Sequence, residues 1–97
     1  MYIFEWDSDK SQRNVVKHGV SFDEARQLWD SFHIEVKEVA RAGEEKRSAT
    51  LGLIHGKVYV AIWTLRKNSI RIISVRRART NEEKIYKKIL QDNQRNG

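Results

Sequence analysis

The chain has 97 residues, 39% of them hydrophobic and 33% charged, with a formal net charge of +6 and neither cysteine nor proline. That length supports one core and not two, so a single domain over residues 1–97 is expected, its polar tail fraying after about residue 92. Without cysteine there are no disulfides, thiolate nucleophiles or Cys-ligated zinc. No run approaches the roughly 18 consecutive apolar residues of a membrane-spanning helix, and no secretory signal pattern opens the chain, so a cytoplasmic location is expected.

In chain order, Tyr2 to Glu5 is a short apolar run that reads as a strand. Asp7 offers a side-chain oxygen to the free N–H groups of a helix that carries Val15 and Val16 toward a core and ends at His18, before Gly19. Ser21 with Glu24 three residues on is a capping box, and Phe22, Ala25, Leu28, Trp29 and Phe32 give the helix behind it one apolar face. The period then changes to two. Ile34 to Val39, Arg47 to Ile54, Lys57 to Leu65 and Ile70 to Val75 read as four strands, with tight turns at His55-Gly56 and at Lys67-Asn68-Ser69 that make them antiparallel neighbours. Thr80 with Glu83 is a second capping box, opening a helix striped by Ile85, Tyr86, Ile89 and Leu90.

The order strand, helix, helix, four strands, helix predicts an α+β domain, a mostly antiparallel sheet of about five strands with helices on one face. The strand from Lys57 is apolar in both phases, Val58, Val60 and Ile62 in one and Tyr59, Ala61, Trp63 and Leu65 in the other. Both its faces are therefore expected to be covered, the second in part by a partner protein or stacked bases.

Charge is uneven along the chain. Residues 1–56 hold 8 basic and 10 acidic residues, net −2, whereas residues 57–97 hold 11 basic and 3 acidic, net +8. A half this basic attracts polyanions, of which nucleic acid is the usual one and an acidic protein surface the other; a solvated face that binds nothing is the remaining reading.

The histidines His18, His33 and His55 are too far apart in sequence, and too poor in nearby carboxylates, to form a metal site, and no phosphate-binding glycine loop or nucleophile elbow is present. No cofactor is expected. What remains is an arginine series: Arg47, Arg66, Arg71, Arg76, Arg77 and Arg79. A guanidinium donates two parallel hydrogen bonds to a phosphate and stays charged at any working pH. Because strand residues alternate faces, a two-residue turn at Lys67-Asn68 sets Arg71 opposite Thr64 and on the face of Arg66, a three-residue turn brings Arg76 there instead, and only a bulge unites all three. Arginines paired with Glu82 and Glu83, or simply solvated, are the plain alternative.

Metal-free RNA cleavage needs a base, an acid and cations for the developing charge. His18 beside Lys17 is the candidate proton carrier, and equally a favourable cation at a helix C-terminus. Tyr86 is a second candidate, set among core residues; Trp63 and Tyr59 could stack bases or pack inward.

Particular words then matter. Phe4-Glu5-Trp6-Asp7, Lys10, Asn14, Lys17-His18-Gly19-Val20-Ser21-Phe22 and Glu24-Ala25, followed by Gly52, Trp63-Thr64-Leu65-Arg66, Arg71-Ile72-Ile73-Ser74, Arg76-Arg77-Ala78, Glu83 and Tyr86, closely resemble the BrnT toxin family over about nine-tenths of the chain. Val75, where alanine is common, and the long basic tail from Lys87 are the departures. The resemblance implies a RelE-like fold, a ribonuclease that arrests translation, and a BrnA-type ribbon-helix-helix antitoxin. The implied complex has two toxins on an antitoxin dimer that binds operator DNA. It adds weight to Lys17, His18, Arg66, Arg71 and Arg76 as catalytic candidates without assigning their roles, while Arg47, Arg77 and Arg79 of the arginine series and the Trp63 ring remain candidate RNA contacts. A non-catalytic antitoxin- and DNA-binding module and a gyrase-directed toxin are the alternatives.

Overall fold

A computed structural model describes residues 2–96; residues 1 and 97, the two ends of the expected domain, lie outside it. The elements are β1 (Phe4–Glu5), α1 (Ser8–His18), α2 (Phe22–Ala25) continued by a 3₁₀ turn (Arg26–Trp29), β2 (Ile34–Ala42), β3 (Glu45–Ile54), β4 (Lys57–Arg66), β5 (Ser69–Arg77) and α3 (Thr80–Asn96). The strands form one sheet in the order β1-β5-β4-β3-β2, antiparallel except where β1 runs parallel to β5. The α+β class and the element order are as the sequence predicts. The strands extend further than the apolar runs because two-residue turns pair the polar residues at their ends.

Helices cover both faces of the sheet rather than one. On the first face, Phe22, Ala25, Leu28 and Trp29 pack on Ala61, Trp63, Ile72 and Val75. On the second, Tyr86 of α3 is buried against Leu51, Val58 and Val60, with Phe32, Ile34 and Leu90 around it. The two phases of β4 thus feed two cores, and α3 supplies the cover that the sequence left to a partner. Of the α3 stripe, Tyr86 and Leu90 turn inward while Ile85 and Ile89 stay exposed.

Asp7 caps α1 through its Oδ1, which accepts from the N–H groups of Asp9 and Lys10 at 2.9 and 3.2 Å. Gly19 ends it at φ 77°, left-handed backbone that glycine adopts without strain. The buried face of α1 is not the expected one: Val16 is 90% exposed and Val15 44%, while Ser11 and Asn14 are buried. Ser11 Oγ accepts from Phe22 N–H at 2.9 Å, Asn14 Nδ2 donates to Val20 C=O at 2.7 Å, and Asn14 Oδ1 accepts from Val75 N–H at 3.2 Å. Hydrogen bonds, not apolar packing, seat this helix.

The Ser21–Glu24 capping box forms, but α2 is a single turn before the backbone tightens. The 3₁₀ turn lies on β3 at Gly52, where an added Cβ would stand 2.8 Å from Leu28 C=O. A side chain at 52 would push backbone off backbone. Gly52→Ala is therefore expected to lower stability by about 1–3 kcal/mol, read as a lower urea midpoint with an unchanged slope.

Candidate nucleic-acid interface

Two local features decide which arginines meet. The β4–β5 turn holds two residues, because Arg66 pairs with Ser69, and this sets Arg71 opposite Thr64. The register then slips: Trp63 pairs with Ile72 but Ile62 with Ser74, so Ile73 is an extra residue in β5. The bulge returns Ser74 and Arg76 to the face of Arg71. On β3, Arg47 pairs with Thr64 and joins them. Arg47, Arg66, Arg71 and Arg76 thus share the second face of the sheet, and the turn-length alternatives collapse into one array. Successive same-face positions on a strand are about 7 Å apart. The positions of Arg71 and Arg76, opposite Thr64 and Val60, are then separated by about 14 Å of strand. One end of the array holds Arg47, Arg66 and Arg71 close together, and Arg76 stands apart beside α3.

Every one of these guanidiniums faces a carboxylate. Glu45 receives Arg47 Nε at 3.3 Å and lies 3.9 Å from Arg66 Nη2. Glu5 on β1, in register with Arg71, accepts from Arg71 Nη1 at 3.1 Å. Glu82 holds Arg76 by two parallel bonds of 2.8 and 3.0 Å and takes the Arg79 N–H at 2.8 Å. The Arg76 guanidinium first, and the Arg79 N–H after burial's opposing effect, bring the Glu82 pKa down to about 2. The same pairing raises the pKa of Arg76. The capping residue of α3 is consequently Glu82, bonded back to Arg79, and not the expected Thr80–Glu83 pair. Glu83 instead binds Lys87 at 3.0 Å and Arg77 at 3.5 Å. Arg76 and Arg77 thus make the glutamate pairings that were the plain reading of the series.

The other sequence candidates are distributed around this face. Lys17 and His18, at the end of α1, line a shallow cleft of about 270 Å³ with Lys10, Arg13, Ile73 and Ser74. The bulge brings Ser74 to the arginine face, so this cleft opens at its β5 edge. Trp63 does not belong to the face. It is 7% exposed in the first core, its ring 6.4 Å from that of Trp29, and its Nε1–H donates to Thr50 Oγ1 at 2.8 Å, because the pairing with Ser48 turns it away from Arg47 and Arg71. Arg77 lies at the strand end, its guanidinium 5.5 Å from the centre of the Tyr59 ring. Arg79 sits in the link to α3. Tyr86 donates its hydroxyl to Phe32 C=O at 2.9 Å, and burial raises its pKa, which makes it a core ring. His55 meets Glu24 of the capping box at 3.4 Å and His33 accompanies Tyr2, both apart from the arginines. Among the described residues no three metal-ligating side chains come together.

The sequence reading missed Glu5, Glu45 and Ser74. Glu45 stands two residues from Arg47 on the same strand phase, a signal available once β3 is extended through the polar residues. Glu5 meets Arg71 only through a parallel pairing of two residues, for which the sequence carries no turn or periodicity signal.

The fold is a small α+β domain that gathers four guanidiniums, each beside a carboxylate, on one sheet face. The chain belongs to the BrnT family, the ribonuclease toxins of type II toxin–antitoxin systems, whose pattern it matches over residues 6–82. No curated protein matches it. Among the described residues no helix is long and apolar enough to cross a membrane.

Because folding lowers the Glu82 pKa from 4.5 to about 2, the stability it contributes is complete above pH of about 4.5 and is lost as pH falls through about 2. At about 1.4 kcal/mol per pKa unit the upper bound is about 3 kcal/mol, and solvent screening brings it to about 1–2 kcal/mol. Glu82→Gln is expected to show that deficit at pH 7 in chemical unfolding, and only a small remainder of it near pH 2.

Proposed function

We propose that this chain cuts single-stranded RNA by metal-independent phosphodiester cleavage and thereby arrests translation. The observation that carries this reading is the strand register, in which the two-residue β4–β5 turn sets Arg71 on the face of Arg66, β3 adds Arg47 and the β5 bulge at Ile73 adds Arg76. Arg66 and Arg71 grip the scissile phosphate and its developing charge, a task that guanidiniums perform without a metal. Arg47 and Arg76 hold the phosphates on either side, and Arg77 and Arg79 extend the contact toward α3. Lys17 and His18, reaching the array through the Ser74 cleft, supply the proton for the leaving oxygen. Trp63, with its ring in the core, takes no part in this reading.

Type II toxins have an antitoxin partner. Here we infer an antitoxin of the BrnA ribbon-helix-helix type, two toxins on an antitoxin dimer, with operator DNA bound through the antitoxin. The arginine face and the apolar groove beside Arg76, lined by Ile34, Val36, Leu51, Ile62 and Ile85, suit an acidic amphipathic segment that excludes RNA by occupying the same surface.

Purified protein is expected to cleave RNA in the presence of EDTA, and Arg66→Ala and Arg71→Ala each to lose about 10²-fold in rate while keeping the unfolding midpoint. Brief induction in a bacterial host is expected to arrest growth with loss of messenger RNA. Arrest with intact messenger RNA would transfer the toxin to another target such as gyrase, and tight RNA binding without cleavage would leave a binding module.

A further inference from the structure

We propose that Glu5 is the general base of the cleavage, taking the proton of the attacking 2′-hydroxyl beside the phosphate held by Arg71. The inference rests on the ribonuclease reading and deepens it.

A base for this step must lie next to the cation that holds the phosphate and must keep a free lone pair. The proton acceptors that meet the arginines are Glu5, Glu45 and Glu82; His33 and His55 lie elsewhere, and His18 is at the rim. Glu82 gives both oxygens to Arg76 and one also to the Arg79 N–H, which leaves it a weak base with a structural task. Each oxygen of Glu45 faces a different guanidinium, Arg47 and Arg66. Glu5 differs. Its Oε2 accepts one bond from Arg71, its Oε1 has no protein hydrogen-bond partner among the described residues, and its side chain is 39% exposed.

The strand order supports the same choice. β1 is an edge strand about 4.8 Å from β5, so Glu5 stands at the border of the face, partly exposed and in register with Arg71. The chain leaves β1, turns at Asp7 and runs α1 along the same edge, where Lys17 and His18 line one cleft with Ser74. From Arg71 to Ser74 is about 10 Å of backbone. A proton acceptor and a proton donor therefore flank one stretch of β5 from its two ends.

In the step itself, the 2′-O–H proton passes to Glu5 Oε1 and the 2′-oxygen bonds to phosphorus. The bond from phosphorus to the 5′-oxygen breaks, and that oxygen takes a proton from protonated His18. The products are a 2′,3′-cyclic phosphate and a 5′-hydroxyl, and solvent returns Glu5 and His18 to their starting forms.

The test is steady-state cleavage of a short RNA by the wild type, Glu5→Gln and Glu5→Ala, with the thermal midpoint and end groups measured alongside. Glu5→Gln keeps an acceptor for Arg71 but cannot take the proton. It is expected to lower kcat at least about 100-fold with KM within about threefold. Added formate is expected to restore part of the Glu5→Ala rate, a rescue that a merely structural carboxylate would not allow and that remains readable if Glu5→Gln folds poorly. A Glu5→Gln rate within threefold of wild type would overturn the proposal, as would a loss confined to KM. So would a gain in kcat/KM, which would make Glu5 only a counter-charge for Arg71. If the wild type itself leaves RNA uncut, the ribonuclease reading falls and this one with it; if only the variants' behaviour departs, the base assignment alone falls.

Discussion

The side-chain amide of Asn14 ties together three parts of the chain: α1, the link after it and β5. It donates to Val20 C=O beyond the helix and accepts from Val75 N–H on the outer edge of β5. β1 pairs with β5 only at Ile70 and Arg71, so the rest of that edge would leave strand N–H groups without a partner under a helix. Asn14 satisfies one of them two residues past the Ile73 bulge. Each such bond contributes about 1 kcal/mol, and leaving a buried donor unpaired costs about 1–3 kcal/mol. The same contact fixes α1 against the slipped register, so the bulge, the arginine face and the Lys17–His18 cleft depend on one another.

The sheet divides its work by face. The first face is filled by aromatic and branched side chains under α2 and the 3₁₀ turn, and the bare backbone of Gly52 lets that turn lie close. The second is covered by α3 over Leu51, Val58 and Val60 and then gives way to Thr64 and the arginines toward the far end. Rigid strands, not loops, hold the guanidiniums, which limits their freedom to the side chains themselves. The Arg76–Glu82 pair also starts α3, since the carboxylate that binds the guanidinium accepts the Arg79 N–H.

Most of the fold was legible from periodicity and caps. Asp7, Gly19 and the Ser21–Glu24 box marked helix ends correctly, and alternation from Ile34 onward marked the strands. What escaped were features set by polar contacts at a distance. Val15 and Val16 looked like the inner face of α1 because apolar residues usually are; the buried side chains are Ser11 and Asn14, whose partners lie 11 and 61 residues away. Two phases of apolar residues on β4 implied two covered faces but not which element supplied the second cover. The arginine series was visible, and the union of Arg66, Arg71 and Arg76 was conditional on a bulge. Nothing in the run Ile70-Arg71-Ile72-Ile73-Ser74-Val75 announces that slip, because either phase could be the buried one. Trp63 followed its strand phase into the core once the pairing with Ser48 was set.

The carboxylates woven among the arginines change what ligand binding releases. Glu5, Glu45 and Glu82 act as internal counterions, covalently attached and already at contact distance. If the proposed reading holds, a phosphate arriving at this face meets guanidiniums already paired with tethered carboxylates, so fewer dissolved ions are displaced and the ionic-strength dependence of affinity falls below what four guanidiniums in open water would produce. Discrimination then comes from geometry at contact, where a ligand must hold the arginine better than its resident partner does. A surface compensated in this way carries less free positive charge than its count of arginines suggests.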